Sequence, residues 1–493
     1  MPESSWRESD SFNDLPPISA LLADLSDLVE SDLEPDEDPD PHTYRTGNRR
    51  RRAAVALMMI WSGTIALHFV AWSYWFVMGL TTLVGIHAVR ILFARSLPPV
   101  KPLDDSNLAA LPVVSVLVAA KNEEAVIERL VKTLCSLDYP ASQYELWVID
   151  DNSTDKTPIL LEQLSQQYAQ LRVFNRPAGS VGGKSGALNK VLPLTKGEVI
   201  AVFDADAQVT PDLFRRVLPL FERAELGAVQ VRKQIANVSG NFWIQGQIAE
   251  MALDSFWQDQ RIAIGGIGEL RGNGQFVRRS ALERCGGWNE ETITDDLDLS
   301  FRLHLDDWDI DFTTYPAVQE EGVTNAIALW HQRSRWAEGG YQRYLDYCQP
   351  LLRTRMGARK TIDMFVFWIL QYALPSATVP DTLMAIVRHQ PMLFFPLGSL
   401  SIGMSLIGIS FGLRRIRRAT RSLPTPPTET NASTLPTLIL LRAIFGTLYM
   451  LHWLPVVAST TARISIRPKR LKWVKTVHYG QEEIAQSNLE LPS

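Results

Sequence analysis

Two aspartates one residue apart, Asp204 and Asp206, close the apolar run in "EVIAVFDADAQVTPD" (198–212). The run reads as a buried strand, and on extended backbone residues i and i+2 face the same side. Two such carboxylates repel unless a cation joins them. Mg2+ or Mn2+ suits the pair, because a hard cation takes one or two carboxylates and completes its shell with substrate phosphate. A polar turn is the competing reading. Asp150 and Asp151 end the strand "YELWVID", where open α/β sheets present their ligands. They are expected to face the crevice and accept from ribose hydroxyls or a base N–H. The alternative is an Asx turn, with Asn152, Ser153 or Asp155 capping the next helix. "GSVGGKSGALNKVL" (179–192) offers flexible backbone, Lys184 as a point charge and a helix start. That suits a phosphate, although the pattern is not a P-loop and a plain loop competes. "ETITDDLDL" places Asp295 and Asp296 at a helix start, where Thr294 can cap and acids suit the dipole. A general base is the functional reading of the same residues. "HQRSRWAEGGYQR" supplies Gln332, Arg333, Arg335 and Trp336. Arginines suit a departing diphosphate, and an indole gives a stacking platform. A basic amphipathic face on a membrane is the alternative.

These residues need strand ends to carry them. Between 112 and 350, apolar runs ("VVSVLVAA", "YELWVID", "LRVFN", "EVIAVFDA", "GAVQV") alternate with helical patterns such as "NEEAVIERLVKTLCSL" and "KTPILLEQLSQQY". The alternation predicts an α/β domain with a parallel sheet covered by helices. A proline-bearing linker, 98–111, precedes it.

The flanks read as membrane. Ala53–Ala94 contains no acid and only Arg90 as a base, within a segment (49–97) led by Arg49–Arg52. A span needs about 20 apolar residues, so the segment predicts a two-helix transmembrane hairpin turning near Trp72–Trp75. Bases at both ends place both on the cytoplasmic side, and the 112–350 domain with them. Residues 351–390, interrupted by Pro375, Pro380 and Asp381, read as interfacial or membrane helices. Residues 391–413 read as a span, 414–434 as a polar linker and 435–462 as another apolar segment. Residues 463–493 form a basic juxtamembrane segment and C-terminal tail. Basic clusters on both sides of 435–462 want one compartment. That requires either a re-entrant hairpin broken at Gly446 or Pro455, or a 361–387 segment lying flat in the interface. Residues 1–48 hold 13 acids against Arg7 and Arg45. The chain's net charge is −5, so the remainder is basic and suits anionic lipid. The tail reads as disordered and shows no signal-peptide pattern. Cys135, Cys285 and Cys348 match no zinc spacing and read as reduced, buried thiols.

The order "AAKNEE" (119–124), "DDNSTD" (150–155), "GGKSGALN" (182–189), "DADA" (204–207), "RGNGQFVRR" (271–279), "TDD" (294–296), "QRSRW" (332–336) closely resembles glycosyltransferase family 2. The Q-x-x-R-W element belongs to its membrane-bound branch, and the ending "LKWVKTVHYG" is similar to that branch. The resemblance implies a GT-A, Rossmann-like nucleotide-sugar-binding domain over 112–350, inserted between α-helical transmembrane segments. It implies that Ala120, Glu123 and Asp151 hold the uridine end of a UDP-sugar and that Lys184 sits near the nucleotide or sugar. Asp204 and Asp295 then face the donor, and Asp206 binds the metal, Mg2+ or Mn2+. Asp296 is the expected base. Gln332 and Arg335 hold the diphosphate, and Trp336 frames the acceptor entrance. Cellulose synthases carry Glu where this chain has Asp295, a change between two acids. The whole layout is similar to a cyanobacterial glycolipid-forming group that transfers glucose from UDP-glucose to diacylglycerol. That similarity implies a multi-pass protein of the plasma or thylakoid membrane, with those two substrates, the bilayer as partner and no nucleic acid. A processive cellulose-like β-glycan synthase is the alternative, and needs a channel for which four or five apolar segments are few. A non-enzymatic nucleotide-sugar sensor is a third reading, disfavoured because every acid and base for transfer is present.

Overall fold

One mixed sheet is built from β1 (Val114–Ala120), β2 (Tyr144–Asp150), β3 (Leu171–Asn175), β4 (Val199–Phe203), β5 (Leu226–Ile235), β6 (Gln275–Arg278) and β7 (Asp309–Glu320). The strand order is β3-β2-β1-β4-β6-β5-β7. The computed structural model describes residues 49–98, 100–104, 111–237, 241–353, 355–421 and 436–466. The acidic tail 1–48, most of the 414–434 linker and the basic ending beyond 466, "LKWVKTVHYG" included, lie outside the described residues.

Helices of nine residues or more begin with α1 (Arg49–Leu67), α2 (Ser73–Leu92), α3 (Ile127–Cys135), α4 (Thr157–Gln167), α5 (Gly183–Val191), α6 (Phe242–Ala263) and α7 (Asp295–Leu305). They continue with α8 (Ala326–Asp346), α9 (Ala358–Trp368), α10 (Leu374–Arg388), α11 (Phe395–Arg421), α12 (Pro436–Met450) and α13 (Trp453–Ile466).

Strands buried on both faces read as near-continuous apolar runs, and β4 is buried at all five positions. Its alternate residues divide between two cores. Val199, Ala201 and Phe203 pack on one face of the sheet, Ile200 and Val202 on the other. The five runs read from the sequence are β1 to β5, and β6 and β7 are additional. β6 is antiparallel to β4 and β5, which corrects the expectation of a wholly parallel sheet. The chain reaches β6 through "RGNG" at the carboxyl end of β4, where the Gly274 N–H donates to Val202 O at 3.0 Å, and runs back from there. Gly274 has φ +74, and a Cβ there would meet Val318 Cγ2 at 2.5 Å. β7 hides in "DIDFTTYPAVQE", whose Pro316 falls at a register shift against β5, a position that tolerates proline.

Among the described residues, four helical segments are long and apolar enough to cross a membrane: Ser73–Leu92, Ala358–Arg388, Phe395–Thr420 and Pro436–Ile466. The hairpin turn between α1 and α2 falls at 68–72. α1 has four arginines in its first turn, so its apolar stretch begins only at Ala53. The 358–388 segment is not broken at its prolines. Pro375 cannot donate to the carbonyl four residues back, and a π turn, Ile369–Ala373, absorbs the defect. Asp381 is buried, accepting from Leu393 N and Phe394 N, each at 2.9 Å, and lying 2.8 Å from His68 Nε2. The 436–466 segment is interrupted at Leu451–His452, between the two positions expected. Pro455 explains the place, since it leaves the Leu451 carbonyl without its helical donor. Gly446 instead allows close packing: a Cβ there would overlap Ala249 Cβ and meet Ile409 Cδ1 at 3.1 Å. α11 runs to Arg421, so the first residues of the expected linker are helical. Cys285 is buried, but Cys135 and Cys348 are only half-buried; all three are free.

Candidate active site

A cavity of about 1110 Å³ opens at the carboxyl ends of β1, β2 and β4. Every residue to which the family resemblance assigns a role lines it: Ala120, Glu123, Asp151, Lys184, Asp204, Asp206, Asp295, Asp296, Gln332, Arg335 and Trp336. At the β1 end, the Asp151 N–H donates to Ala120 O at 2.8 Å. The Asp151 carboxylate accepts from Arg176 Nη1 at 2.6 Å, with Lys121 Nζ at 3.8 Å. Arg176 also donates to Val181 O (2.6 Å) and Gly183 O (3.2 Å). One buried guanidinium thus ties Asp151 to the glycine loop. Glu123 is buried, its N–H donating to Thr157 Oγ1 at 2.9 Å. Asp155 accepts from Thr157 N and Glu124 N, so it braces both loops. Asp150 corrects the expectation that both acids face the crevice: it is buried and absent from the lining. Consecutive strand residues point to opposite faces.

Strand β4 ends at Phe203, so Asp204 and Asp206 do not sit on extended backbone. They occupy a turn in which Ala207 N–H donates to Asp204 O at 3.1 Å. Both side chains still reach the cavity. Lys184, in the first turn of α5, meets Asp204 Oδ1 at 2.5 Å. Burial works against the Lys184 charge, yet Asp204, Asp295 and Asp296 together hold its pKa above the usual lysine value. Asp206 is buried and accepts from Glu321 N at 2.9 Å. Burial, then the charges of Asp204, Glu320 and Glu321, push it up to about 7. An acid so crowded by other acids is a place where a divalent cation lowers the energy. Among the described residues no group of three or more His, Cys, Asp or Glu side chains is arranged to hold a metal. A cation at Asp206 therefore fits only with further oxygens from substrate and water.

α7 begins at Asp295 without a side-chain cap from Thr294. The Thr294 Oγ1 and Asp295 Oδ2 atoms are buried without hydrogen-bond partners among the described residues. Thr294 instead packs on Gly339 of α8, where a Cβ would meet Thr294 Cγ2 at 2.5 Å. Burial and then the Asp295 charge raise Asp296 to about 6; the Leu297 N–H, Lys184 and Arg271 pull the other way. Opposite stand Gln332, Arg335 and Trp336 of α8. Burial lowers the Arg335 pKa, and the Asp204 charge opposes this only in part. Arg333, grouped by sequence with the diphosphate ligands, has another task. It is buried and pairs with Glu250 at 2.5 Å, and Gln332 Oε1 accepts from it at 2.6 Å. Its guanidinium lies 4.1 Å from the Trp336 ring centroid, and Lys233 Nζ lies 5.2 Å from the same centroid.

Several lining residues escaped the sequence reading. Lys233 pairs with Glu320 at 3.0 Å. Arg271 pairs with Asp254 at 2.8 Å and Glu269 at 3.0 Å. Glu250 accepts from Trp453 Nε1 at 2.8 Å. Only Arg271 had a signal, its place in "RGNGQ". Past Trp336 the cavity turns apolar, lined by Phe367, Leu370, Leu374, Phe394, Ile402 and Leu454. Among the apolar residues between Met364 and Leu370, Phe367 and Leu370 line the cavity with Val366, and Met364, Phe365, Trp368 and Ile369 do not.

A family model described as "Glycosyltransferase like family 2" matches residues 112–339. The chain is 58% identical, over 98% of its length, to a β-monoglucosyldiacylglycerol synthase from Nostoc sp., 100% of which is covered. It is 51% identical, again over 98% of its length, to the protein of that name from Synechocystis sp., 99% of which is covered. Among solved structures, a mannosyltransferase from Pyrobaculum calidifontis in complex with GDP-Man and Mn2+ aligns over 81% of this chain at 18% identity, with a TM-score of 0.48.

Proposed function

This chain belongs to glycosyltransferase family 2, and we propose, from its near full-length identity to β-monoglucosyldiacylglycerol synthases, that it transfers glucose from UDP-glucose to diacylglycerol, making a one-sugar β-linked glycolipid. The observation that carries the reading is one cavity with two characters. At one end stand Asp151, Lys184, Asp204, Asp206 and Arg335; at the other stand apolar faces of α9 to α13. A sugar nucleotide suits the first end and acyl chains the second.

The chemistry is a single inverting displacement. Asp296 takes the proton from the lipid hydroxyl as its oxygen attacks the anomeric carbon and the bond to UDP breaks. Arg335 and Lys184 offset charge gathering on the departing diphosphate. Asp151, Ala120 and Glu123 hold the uridine, Asp295 faces the donor, and Gln332 supports the diphosphate. Trp336 frames the acceptor hydroxyl. A divalent ion, Mg2+ or Mn2+, held by Asp206 with Asp204 beside it, supplies further neutralisation of the diphosphate when bound. The apolar helices seat the enzyme in the bilayer with its sheet domain on the cytoplasmic face, in a plasma or thylakoid membrane.

Purified protein given UDP-glucose, Mg2+ and diacylglycerol is expected to yield mainly a monoglucosylated lipid. Without diacylglycerol only slow UDP-glucose hydrolysis remains. A long glucan made without added lipid would move the protein to the processive synthases.

A further inference from the structure

The π turn at Ile369–Ala373 has a cause and a consequence. Pro375 leaves the Gln371 carbonyl without its helical donor, and the Leu374 N–H reaches back to Ile369 O instead. A widened turn of this kind re-aims the residues within it and recurs at functional sites. Here it carries Gln371, which lines the cavity between apolar neighbours Leu370 and Leu374. The Gln371 Oε1 atom is out of solvent and has no hydrogen-bond partner among the described residues. A buried amide oxygen without a partner is costly, and turning the amide over puts its NH2 at that place, where a ligand carbonyl can accept from it.

Its position matters as much as its chemistry. Tyr372, the next residue, packs on Gly340 of α8, where a Cβ would overlap Tyr372 Oη. The same Cβ would meet Leu297 Cδ1 at 3.5 Å. Leu297 follows Asp296 on α7 and Gly340 lies one turn beyond Trp336 on α8, so Tyr372 packs against the helices that carry both, and Gln371 beside it lines the same cavity as Asp296 and Trp336. In a diacylglycerol whose hydroxyl is at Asp296, the ester groups lie between the polar and apolar ends of that cavity, on the carbons next along the glycerol. An amide can turn either its oxygen or its NH2 toward a ligand.

Resting on the diacylglycerol reading above, we propose that the Gln371 side chain donates a hydrogen bond to a glycerol ester carbonyl of the acceptor and makes the enzyme selective for ester-linked lipid. The test compares acceptor kcat/KM for diacylglycerol with that for a dialkylglycerol of equal chain length, which lacks the carbonyls. Wild-type enzyme is expected to favour the ester by about tenfold, the worth of one such bond. Gln371→Leu, and Gln371→Met as a variant closer in shape, are expected to bring the ratio to about one by losing ester turnover, with KM for UDP-glucose unmoved. A wild-type preference that survives in both variants overturns the assignment, as does a wild type with no preference. Variants that lose ether and ester turnover alike show Gln371 to be a packing residue and overturn it too. A wild type that glucosylates neither lipid removes the functional reading itself, and this assignment with it.

Discussion

Asp296 is a carboxyl that burial and the Asp295 charge push up to about 6. A general base works only when deprotonated. With Asp296 as the proposed base, transfer is expected to fade as pH falls through the raised pKa, well above the range of an ordinary aspartate. Asp295→Asn removes a neighbouring negative charge, so the acid limb of kcat/KM is expected to move to lower pH. An unmoved limb would assign it to another group. Asp296→Asn is expected to cost about 10²–10⁴-fold in transfer while UDP-glucose binding, followed by calorimetry, persists. The residues proposed to act were legible as a group that lines one cavity, because chemistry restricts their types and the motifs come in a fixed order. Their partners were not. Arg176 for Asp151, Glu250 for Arg333 and Lys233 beside Trp336 come from distant segments, and no local spacing announces a tertiary ion pair. Arg333 and Arg335 looked alike in sequence because only their environments separate them.

Elements were easiest to read where one period dominates. β1, β2 and β4 are apolar runs covered on both sides, as is most of β5, and the pattern found them; β3 is a half-exposed edge strand whose apolar residues still marked it. β6 is four residues long and β7 is polar and proline-bearing, so neither offers such a run. The D-A-D turn shows a subtler miss: both carboxylates reach the cavity as expected, but because the strand has ended. The 358–388 helix was read as broken because two prolines interrupt it, yet a π turn accommodates one of them. That turn packs on α8 through glycine, and the contact can be tested. A Cβ at Gly340 would overlap Tyr372 Oη, with Tyr372 Cζ at 3.5 Å. Gly340→Ala is expected to cost about 1–3 kcal/mol, as overpacking does, and to lower the thermal midpoint in detergent. Tyr372→Phe removes the colliding atom and is expected to recover most of that loss in the double variant. A penalty unchanged by Tyr372→Phe would place the strain elsewhere.

At the scale of the molecule, the arginines that open α1 do more than mark a membrane side. Arg49 is buried and forks onto Asp346 at the end of α8, at 2.6 and 2.5 Å. It also donates to Glu291 O at 2.8 Å, just ahead of the Asp295–Asp296 pair. Arg52 donates to Leu345 O at 2.8 Å. The first membrane-side helix is thus bonded to the helix that carries Gln332, Arg335 and Trp336, and to the loop that precedes the proposed base. Removing one partner of a buried pair leaves the other charge poorly compensated, which costs more than the pair itself contributes. Arg49→Met is therefore expected to destabilise the protein by about 3 kcal/mol and to weaken transfer even though Arg49 touches no substrate. Arg49→Lys keeps the charge but cannot make the two-pronged contact, and is expected to recover part of the loss. Asp346→Asn in the Arg49→Met background removes the stranded charge and is expected to recover part as well. Thermal unfolding in detergent, read beside glucolipid formation in membranes, checks all three. If Arg49→Met unfolds at the wild-type midpoint with full transfer, these arginines serve only the lipid surface.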